Sequence, residues 1–378
     1  MTLPVHYIDY FKWGILGAFF LVLLIQLIFY YVIYLKVLVK RRNVQKENHP
    51  ISVIICARNE AENLLVNLPS ILEQKHTDYE VIVVNDCSTD NTEKVINEFT
   101  KKYKHLRSTV INPDIKFSHG KKLAVTLGIK AAKNEWLVFT DADCKADSDQ
   151  WLNRLQEHFT EDKQIVLGYG GYERRRGLLN AYIRYDTMMI ALQYLGFALS
   201  GMPYMGVGRN LAYRKSLFFK NKGFARHYDL QSGDDDLFVN ETATKKNVAV
   251  VTHAESHTTS IPKLSRKEWF RQKKRHFTTA GKYKPKHKLF LSLEPISRLF
   301  FYLFFGILAG LNISAIFVAG AFAFRLLSQL IILKLAMNKL KIKGILLFLI
   351  IFDVISLFIN FNIYLSMTVF STKKTRWK

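Results

Sequence analysis

The sequence predicts an α/β domain built on a mainly parallel sheet and flanked by membrane helices, one before it and two or three after it. Three observations predict this. Between residues 43 and 295, short apolar runs alternate with stretches of helical spacing, the pattern of a doubly wound sheet. Residues 13–35 are apolar almost throughout, enough to cross a bilayer. From Leu299 onward apolar composition returns, broken by few charges. The chain of 378 residues therefore divides into an amino-terminal anchor (1–42), a soluble domain (43–295) and a carboxyl-terminal membrane region (296–378).

The first span has no small-residue cleavage site and its basic residues follow it, so it reads as a retained anchor. Lys36, Lys40, Arg41 and Arg42 put its carboxyl end, and the soluble domain, in the cytoplasm. Strands are expected at 51–56, 80–84, 108–111 and 136–141, each a short apolar run. Helices are expected between them: 62–73, spaced by Leu64, Leu65, Leu68 and Leu72; 92–102, capped by Asp90; and 121–132, with Leu123, Leu127 and Ala131 on one face. Residues 182–205, rich in Tyr, Met and Leu, read as a packed helix with a long connection.

Residues 299–324 suffice for one span, and 326–335 extend them past Arg325 and Lys334. Residues 344–369 form a further span, in which Asp353 is expected to pair with Arg325 or Lys334. Three carboxyl-terminal spans place Lys339, Lys341 and Lys343 inside and the 373–378 tail outside. Two spans reverse both assignments, and three is the preferred number. The cell membrane, crossed several times, is thus the expected location.

The net charge of +23 is carried unevenly. Nearly half of the 54 Lys and Arg lie in four clusters beside apolar runs, at 36–46, 263–288, 334–343 and 373–378. Such placement suits membrane lipids with anionic headgroups, not a nucleic-acid groove, and no nucleic-acid partner is expected. Cys56, Cys87 and Cys144 are too few and too scattered for a disulfide framework or a zinc site. They fit a reducing compartment.

Trp136-Leu-Val-Phe-Thr-Asp141-Ala-Asp143 ends an apolar run in two carboxylates. Open α/β sheets bind ligands at the carboxyl ends of their strands. Two carboxylates at this spacing can hold Mg²⁺ or Mn²⁺, which in turn holds a diphosphate. Two other strand ends are polar, at Ala57-Arg58-Asn59-Glu60 and Asn85-Asp86. Neither the glycine fingerprint of dinucleotide folds nor a phosphate loop accompanies them, which points to a metal-bound nucleotide. Gly233-Asp234-Asp235-Asp236 forms a second acidic cluster, whose mutual repulsion favours a raised pKa in at least one member.

Residues 51–284 resemble the family 2 glycosyltransferases, the inverting GT-A-fold enzymes that include cellulose, chitin and hyaluronan synthases and ceramide glucosyltransferase. The resemblance rests on several motifs in order: Ile51-Ser-Val-Ile-Ile-Cys-Ala-Arg-Asn-Glu, Val83-Val-Asn-Asp-Cys-Ser-Thr-Asp-Asn-Thr, Gly120-Lys-Lys-Leu, Thr140-Asp-Ala-Asp and Gln272-Lys-Lys-Arg275. It implies a nucleotide-diphosphate sugar donor bound through Asp86, Arg58, Glu60, Lys121 and Asp141, with Asp141 and Asp143 at the metal. It also implies a general base at Asp235, when the second acidic cluster is aligned from Gly233, or at Asp234, when aligned from Asp236-Leu237. Gln272 and Arg275 match the family's Gln-X-X-Arg-Trp motif and would steady the leaving diphosphate. His276 stands in place of the Trp, which counts against processive synthesis.

Arg209 and Asn210, in Gly206-Val-Gly-Arg-Asn, match an acceptor-side segment, and His253 or His257 is a candidate third metal ligand. The remaining lysines of 263–288 read as a basic surface on lipid headgroups. The function so implied is transfer of a sugar to a lipid-linked or polysaccharide acceptor on the cytoplasmic face. The alternatives are a processive polysaccharide synthase and, in a different class, a non-catalytic membrane protein that binds a ligand on a GT-A fold.

Overall fold

The computed structural model describes residues 5–39, 47–112, 120–230 and 232–368, so the basic stretches 40–46 and 373–378 lie outside the described residues. The strands are β1 (Ile51–Ala57), β2 (Tyr79–Asp86), β3 (Leu106–Ile111), β4 (Trp136–Asp141), β5 (Cys144–Ala146), β6 (Ile165–Leu167), β7 (Gly170–Tyr172), β8 (Leu211–Arg214), β9 (Val248–Val250) and β10 (Thr258–Ser260). Seven form one sheet in the order β3-β2-β1-β4-β8-β6-β9. Its first four members are parallel, β8 enters antiparallel to both β4 and β6, and β9 runs parallel to β6. A small second sheet, β5-β10-β7, had no counterpart in the expected elements.

Both faces of the sheet are covered at its centre, which is why β1, β2 and β4 read as nearly continuous apolar runs while edge strand β3 does not. Ile54, Ile82, Val84 and Phe139 share a core with helices Lys121–Ala131 and Leu178–Leu199. Val53, Val81, Val83 and Val138 share the other with helices Ala61–Leu72 and Trp151–Gln156. Helix Thr92–Lys102 begins where expected, with Asp90 Oδ1 accepting the Thr92 amide (2.9 Å).

In helix Lys121–Ala131 the face of Leu123, Leu127 and Ala131 is half-buried against the core, and Ala124, Val125, Gly128 and Ile129 face inward beside it. A Cβ on Gly128 would lie 2.6 Å from Ile54 Cγ2, so the helix rests on β1 along its smallest residue.

Among the described residues, four helices are long and apolar enough to span a membrane: Tyr10–Leu38, Pro285–Gly310, Ala315–Lys339 and Leu346–Met367. The region after Leu299, long enough for a hairpin of two spans or for one span with an interfacial helix, forms the hairpin, because the chain breaks at residues 311–314. There Asn312 (φ 50°) and Ser314 (φ 49°) adopt left-handed backbone that no helix continues through. The preceding helix starts at Pro285, a residue suited to a first turn, so residue 295 falls inside it.

Asp353 pairs with Arg325 (3.0 Å) as expected, and also with Arg298 (2.9 Å). Lys334 does not take part; it is exposed on the outer face of its helix. Gln26 of the first span joins this network, accepting from Arg325 Nη2 (3.0 Å) and donating to Ser297 Oγ (2.8 Å). All four spans are therefore tied by polar groups. The connection at 340–345 lies on the same side as the soluble domain, since Arg184 Nη2 donates to the Lys343 carbonyl (2.7 Å). That is the arrangement expected of three carboxyl-terminal spans.

The first span contains a π-helical turn, Phe29–Tyr34, and helix Leu178–Leu199 crosses it at Gly196. A Cβ on Gly196 would sit 2.6 Å from the Ile33 carbonyl oxygen. Lys36 Nζ then donates to Ser200 Oγ (3.0 Å) just beyond the crossing. Gly196→Ala sets two effects in opposition: helix propensity favours Ala by about 1 kcal/mol, while overpacking costs about 1–3 kcal/mol. The backbone contact is expected to win, so the variant's thermal midpoint in detergent falls. A higher midpoint would show that the two helices part without cost.

Candidate active site

Register brings the polar strand ends together. Cys56 pairs with Asp141 across β1 and β4, and Ala57 pairs with Asn85 across β1 and β2, so three carboxyl-end turns share one sheet edge. The turns after β1 and β2 are laced to each other: Asn59 Oδ1 accepts the Thr89 amide (2.8 Å), and Thr92 Oγ1 accepts the Glu60 amide (2.9 Å). Asn59 (φ 56°) and Cys87 (φ 53°) hold left-handed backbone there. Asp86 ends β2 with its carboxylate fully buried beside Cys87, and Arg58 is half-buried near the same thiol.

Lys121, first residue of its helix, is the centre of the cleft. Its Nζ lies 2.8 Å from Asp141 Oδ1 and 3.2 Å from Asp234 Oδ2. Burial works against this ammonium, but Asp141, Asp234 and Asp235 outweigh it and hold its pKa well above the ordinary lysine value. The cavity is lined by Lys121, Thr140, Asp141, Gly208, Asp234 and Asp235 over an apolar floor that includes Ile54, Phe139 and Tyr213.

The three acidic neighbours differ in their partners. Asp234 faces Lys121, and burial pushes its carboxyl up despite that charge. Asp235 Oδ2 accepts the Gly208 amide (2.6 Å) and its Oδ1 the Asp236 amide (2.8 Å), so the Gly206–Asn210 turn holds it. Gly208 lets the turn lie close to both charges: a Cβ there would meet Asp235 Oδ2 at 3.2 Å and Lys121 Nζ at 3.4 Å, so the Asp235 carboxylate would have to give way slightly. Asp236 turns away into the core, where Thr279 and Tyr283 donate to its Oδ2. Burial first, and the Asp235 charge second, push its carboxyl up to about 7.

Asp141 and Asp143 come together with Cys144: one ligand atom from each lies within 4.8 Å of the others. The two carboxylates suit a hard divalent ion, whereas the Cys144 thiol, which burial keeps protonated, is not a ligand for one. Ser260 Oγ (3.1 Å) and Cys144 Sγ (3.4 Å) donate to Asp143 Oδ1. Burial and then the Asp141 charge raise the Asp143 carboxyl. At Asp141 burial acts in the same direction, but Lys121, followed by Arg209 and Arg275, overcomes it and leaves the carboxyl low. Glu60 is raised chiefly by burial, with Asp143 and Asp141 adding to it.

The histidines expected as a third ligand sit elsewhere. His253 caps a short turn through the Glu255 amide (3.3 Å), and His257 is buried edge-on against Tyr169 (5.0 Å). Asn210 is also corrected. Its fully buried amide donates to Tyr169 O and Ser256 O (both 2.7 Å) and accepts from Trp151, which makes it a structural tie.

Arg209 stays at the cleft, stacked over Tyr172 (4.7 Å) and donating to its hydroxyl (3.1 Å). Gln272 Nε2 donates to the same hydroxyl (3.3 Å), so helix Arg266–Ala280 meets the cleft through Tyr172. The charge of Arg275 reaches Asp141. Lys273, assigned from the sequence to lipid, points inward to Asp186 instead (2.8 Å). Lys263, from the same basic stretch, acts on Asp143 and Glu60. Tyr172, Gly208, Ser260 and Lys263 were missed because each belongs to the cleft only through tertiary approach.

The fold and the cleft define a GT-A-type α/β protein. A solved mannosyltransferase from Pyrobaculum calidifontis, in complex with GDP-Man and Mn²⁺, shares the fold at a TM-score of 0.56 and 19% identity, covering 91% of this chain and 97% of that one. The Glycosyl transferase family 2 model matches residues 52–219, and the chain carries a domain of that family. A poly-beta-1,6-N-acetyl-D-glucosamine synthase of Staphylococcus epidermidis is 36% identical over 117 residues, 30% of this chain and 26% of that protein. A UDP-Glc:alpha-D-GlcNAc-diphosphoundecaprenol beta-1,3-glucosyltransferase of Escherichia coli is 30% identical over 125 residues, 32% of this chain and 45% of that protein. The chain thus spans less than half the length of either relative.

Proposed function

We propose that this chain is a membrane-held inverting glycosyltransferase that moves a sugar from a nucleotide-diphosphate donor to a lipid-linked or polysaccharide acceptor on the cytoplasmic face. The observation that carries the reading is the Lys121 centre, which joins the donor-side Asp141 to the second acidic cluster in one cavity. Binding alone does not need a carboxylate held ready beside the acceptor turn, and Asp235 is such a group.

Asp86, with Arg58 and Glu60, borders the nucleotide side, and Asp141 and Asp143 would hold Mg²⁺ or Mn²⁺. When bound, the ion neutralises charge on the donor diphosphate. Lys121 and Arg275 add positive charge on the same side, where the leaving group becomes more negative. Asp235 takes the proton of the acceptor hydroxyl, which attacks the anomeric carbon from the face opposite the diphosphate and inverts it. Arg209, fixed by Tyr172, borders the acceptor side. Single addition is preferred to processive synthesis because His276, exposed on its helix, replaces the Trp of the polymer synthases.

The test is release of nucleoside diphosphate from a panel of nucleotide sugars by the purified protein with Mn²⁺ or Mg²⁺. One donor is expected to be turned over, and Asp141→Asn with Asp143→Asn, or removal of the ion by chelation, is expected to abolish turnover. Unchanged turnover in that double variant would falsify the mechanism.

A further inference from the structure

A second cationic cluster lies outside the cleft, where the membrane bundle meets the domain. Arg174, Arg175 and Arg176 follow β7 and are all exposed. The Arg174 guanidinium lies against Gly344, where an added Cβ would meet its Nη2 at 3.1 Å. Arg184 is 7% exposed, donates to the Lys343 carbonyl and lies close enough to Arg174 to feel its charge. Lys341 and Lys343 flank this contact in the connection between the last two spans.

Among the described residues, Glu173 is the carboxylate at this patch, and it takes Arg175 (3.2 Å) and Lys145 (3.9 Å). No ion pair of Arg174, Arg176, Arg184, Lys341 or Lys343 occurs among the described residues. Gathering like charges without counter-charges is unfavourable unless an anion completes the site. The connection at 340–345 joins two membrane spans, so the patch faces the lipid headgroup layer. Tyr172, which holds Arg209 and Gln272 at the cleft, is only two residues from Arg174.

We propose that Arg174, Arg176 and Arg184, with Lys341 and Lys343, bind the phosphate of a lipid headgroup and thereby present a phosphate-linked lipid acceptor to the Tyr172 side of the cleft. Planar guanidinium groups suit phosphate oxygens. The lipid is the committed source of the phosphate, because the patch opens at the bilayer level. This rests on the acceptor being lipid-linked, as proposed above.

The test uses the full chain in phosphatidylcholine nanodiscs doped with a polyprenyl phosphate, with binding read by native mass spectrometry. Wild type is expected to retain the polyprenyl phosphate. Arg174→Ala with Arg176→Ala is expected to lower retention at least tenfold, and Lys341→Ala with Lys343→Ala to lower it severalfold. Metal-dependent donor hydrolysis on the same samples is expected to stay unchanged, since these residues lie outside the donor cleft. Retention equal to wild type in both double variants overturns the site. So does complete displacement by millimolar inorganic phosphate, which marks a soluble-anion site instead. Absence of donor hydrolysis in every sample, with retention still dependent on the arginines, overturns the transferase reading and leaves the lipid site standing.

Discussion

Asp235→Asn is expected to lower sugar transfer by a factor of about 10²–10⁴, the range contributed by a positioned general base. The amide keeps the size of the carboxylate and can still accept one backbone N–H, so the Gly206–Asn210 turn is retained. Only the capacity to take a proton is removed. Donor binding, measured as the Kd for the nucleotide sugar, is expected to be near wild type. Asp234→Asn differs because it removes a counter-charge of Lys121 on the donor side. Its main effect is expected on donor KM, with a smaller loss in kcat. The reverse ordering, with kcat destroyed by Asp234→Asn and spared by Asp235→Asn, assigns the base to Asp234. Asp236→Asn serves as a third arm. That residue points into the core at Thr279 and Tyr283, so its loss is read in stability before it is read in rate.

Asp353→Ala is expected to destabilise the membrane bundle by about 3–5 kcal/mol, the cost of leaving buried charges without their partner. Asp353 is 1% exposed and bridges Arg298 with one oxygen and Arg325 with the other. Tyr302 donates to it as well (2.7 Å). Removing it strands two guanidinium groups away from water and releases helix Leu349–Thr368 from its two neighbours. The measurement is thermal unfolding of the purified chain in detergent, with monodisperse yield as a second readout. Arg325→Met with Asp353→Leu removes both members of one pair, and although Arg298 loses a partner there it keeps Glu294 (3.4 Å). That variant is expected to lose less than Asp353→Ala. If Asp353→Ala unfolds at the wild-type midpoint, the network is not what fastens the spans.

Much of the donor cleft was legible because its parts sit at strand ends. A run such as Trp136-Leu-Val-Phe-Thr-Asp141 reveals a buried strand and the charge it delivers, and parallel order then collects such ends at one edge. Lys121 was reached only through the resemblance of Gly120-Lys-Lys-Leu to a family motif, since it opens a helix and no strand end marks it. Residues that join the cleft from a distance left no local signal. Tyr172 is the third residue of a three-residue strand, and Gly208 is one of the two glycines in its turn. Charge pattern alone misassigned Lys273, because a basic stretch looks the same whether it faces lipid or a half-buried Asp186. The break between the first two C-terminal spans was not legible for a related reason. Hydropathy is continuous across 311–314, and only the left-handed backbone of Asn312 and Ser314 interrupts the helix. Asn210 shows the opposite error, a polar residue in a motif that is consumed by packing.

The crossing of Gly196 over the π-helical turn has a consequence for how the enzyme meets its acceptor. Backbone lies on backbone at Ile33, and Lys36 is tied to Ser200 immediately after it. The catalytic head therefore has no swivel at its first anchor, and the depth of the cleft relative to the bilayer is set by the architecture. If the proposed transfer to a membrane-held acceptor holds, that fixed depth favours acceptors whose reactive hydroxyl lies at the height of the cleft.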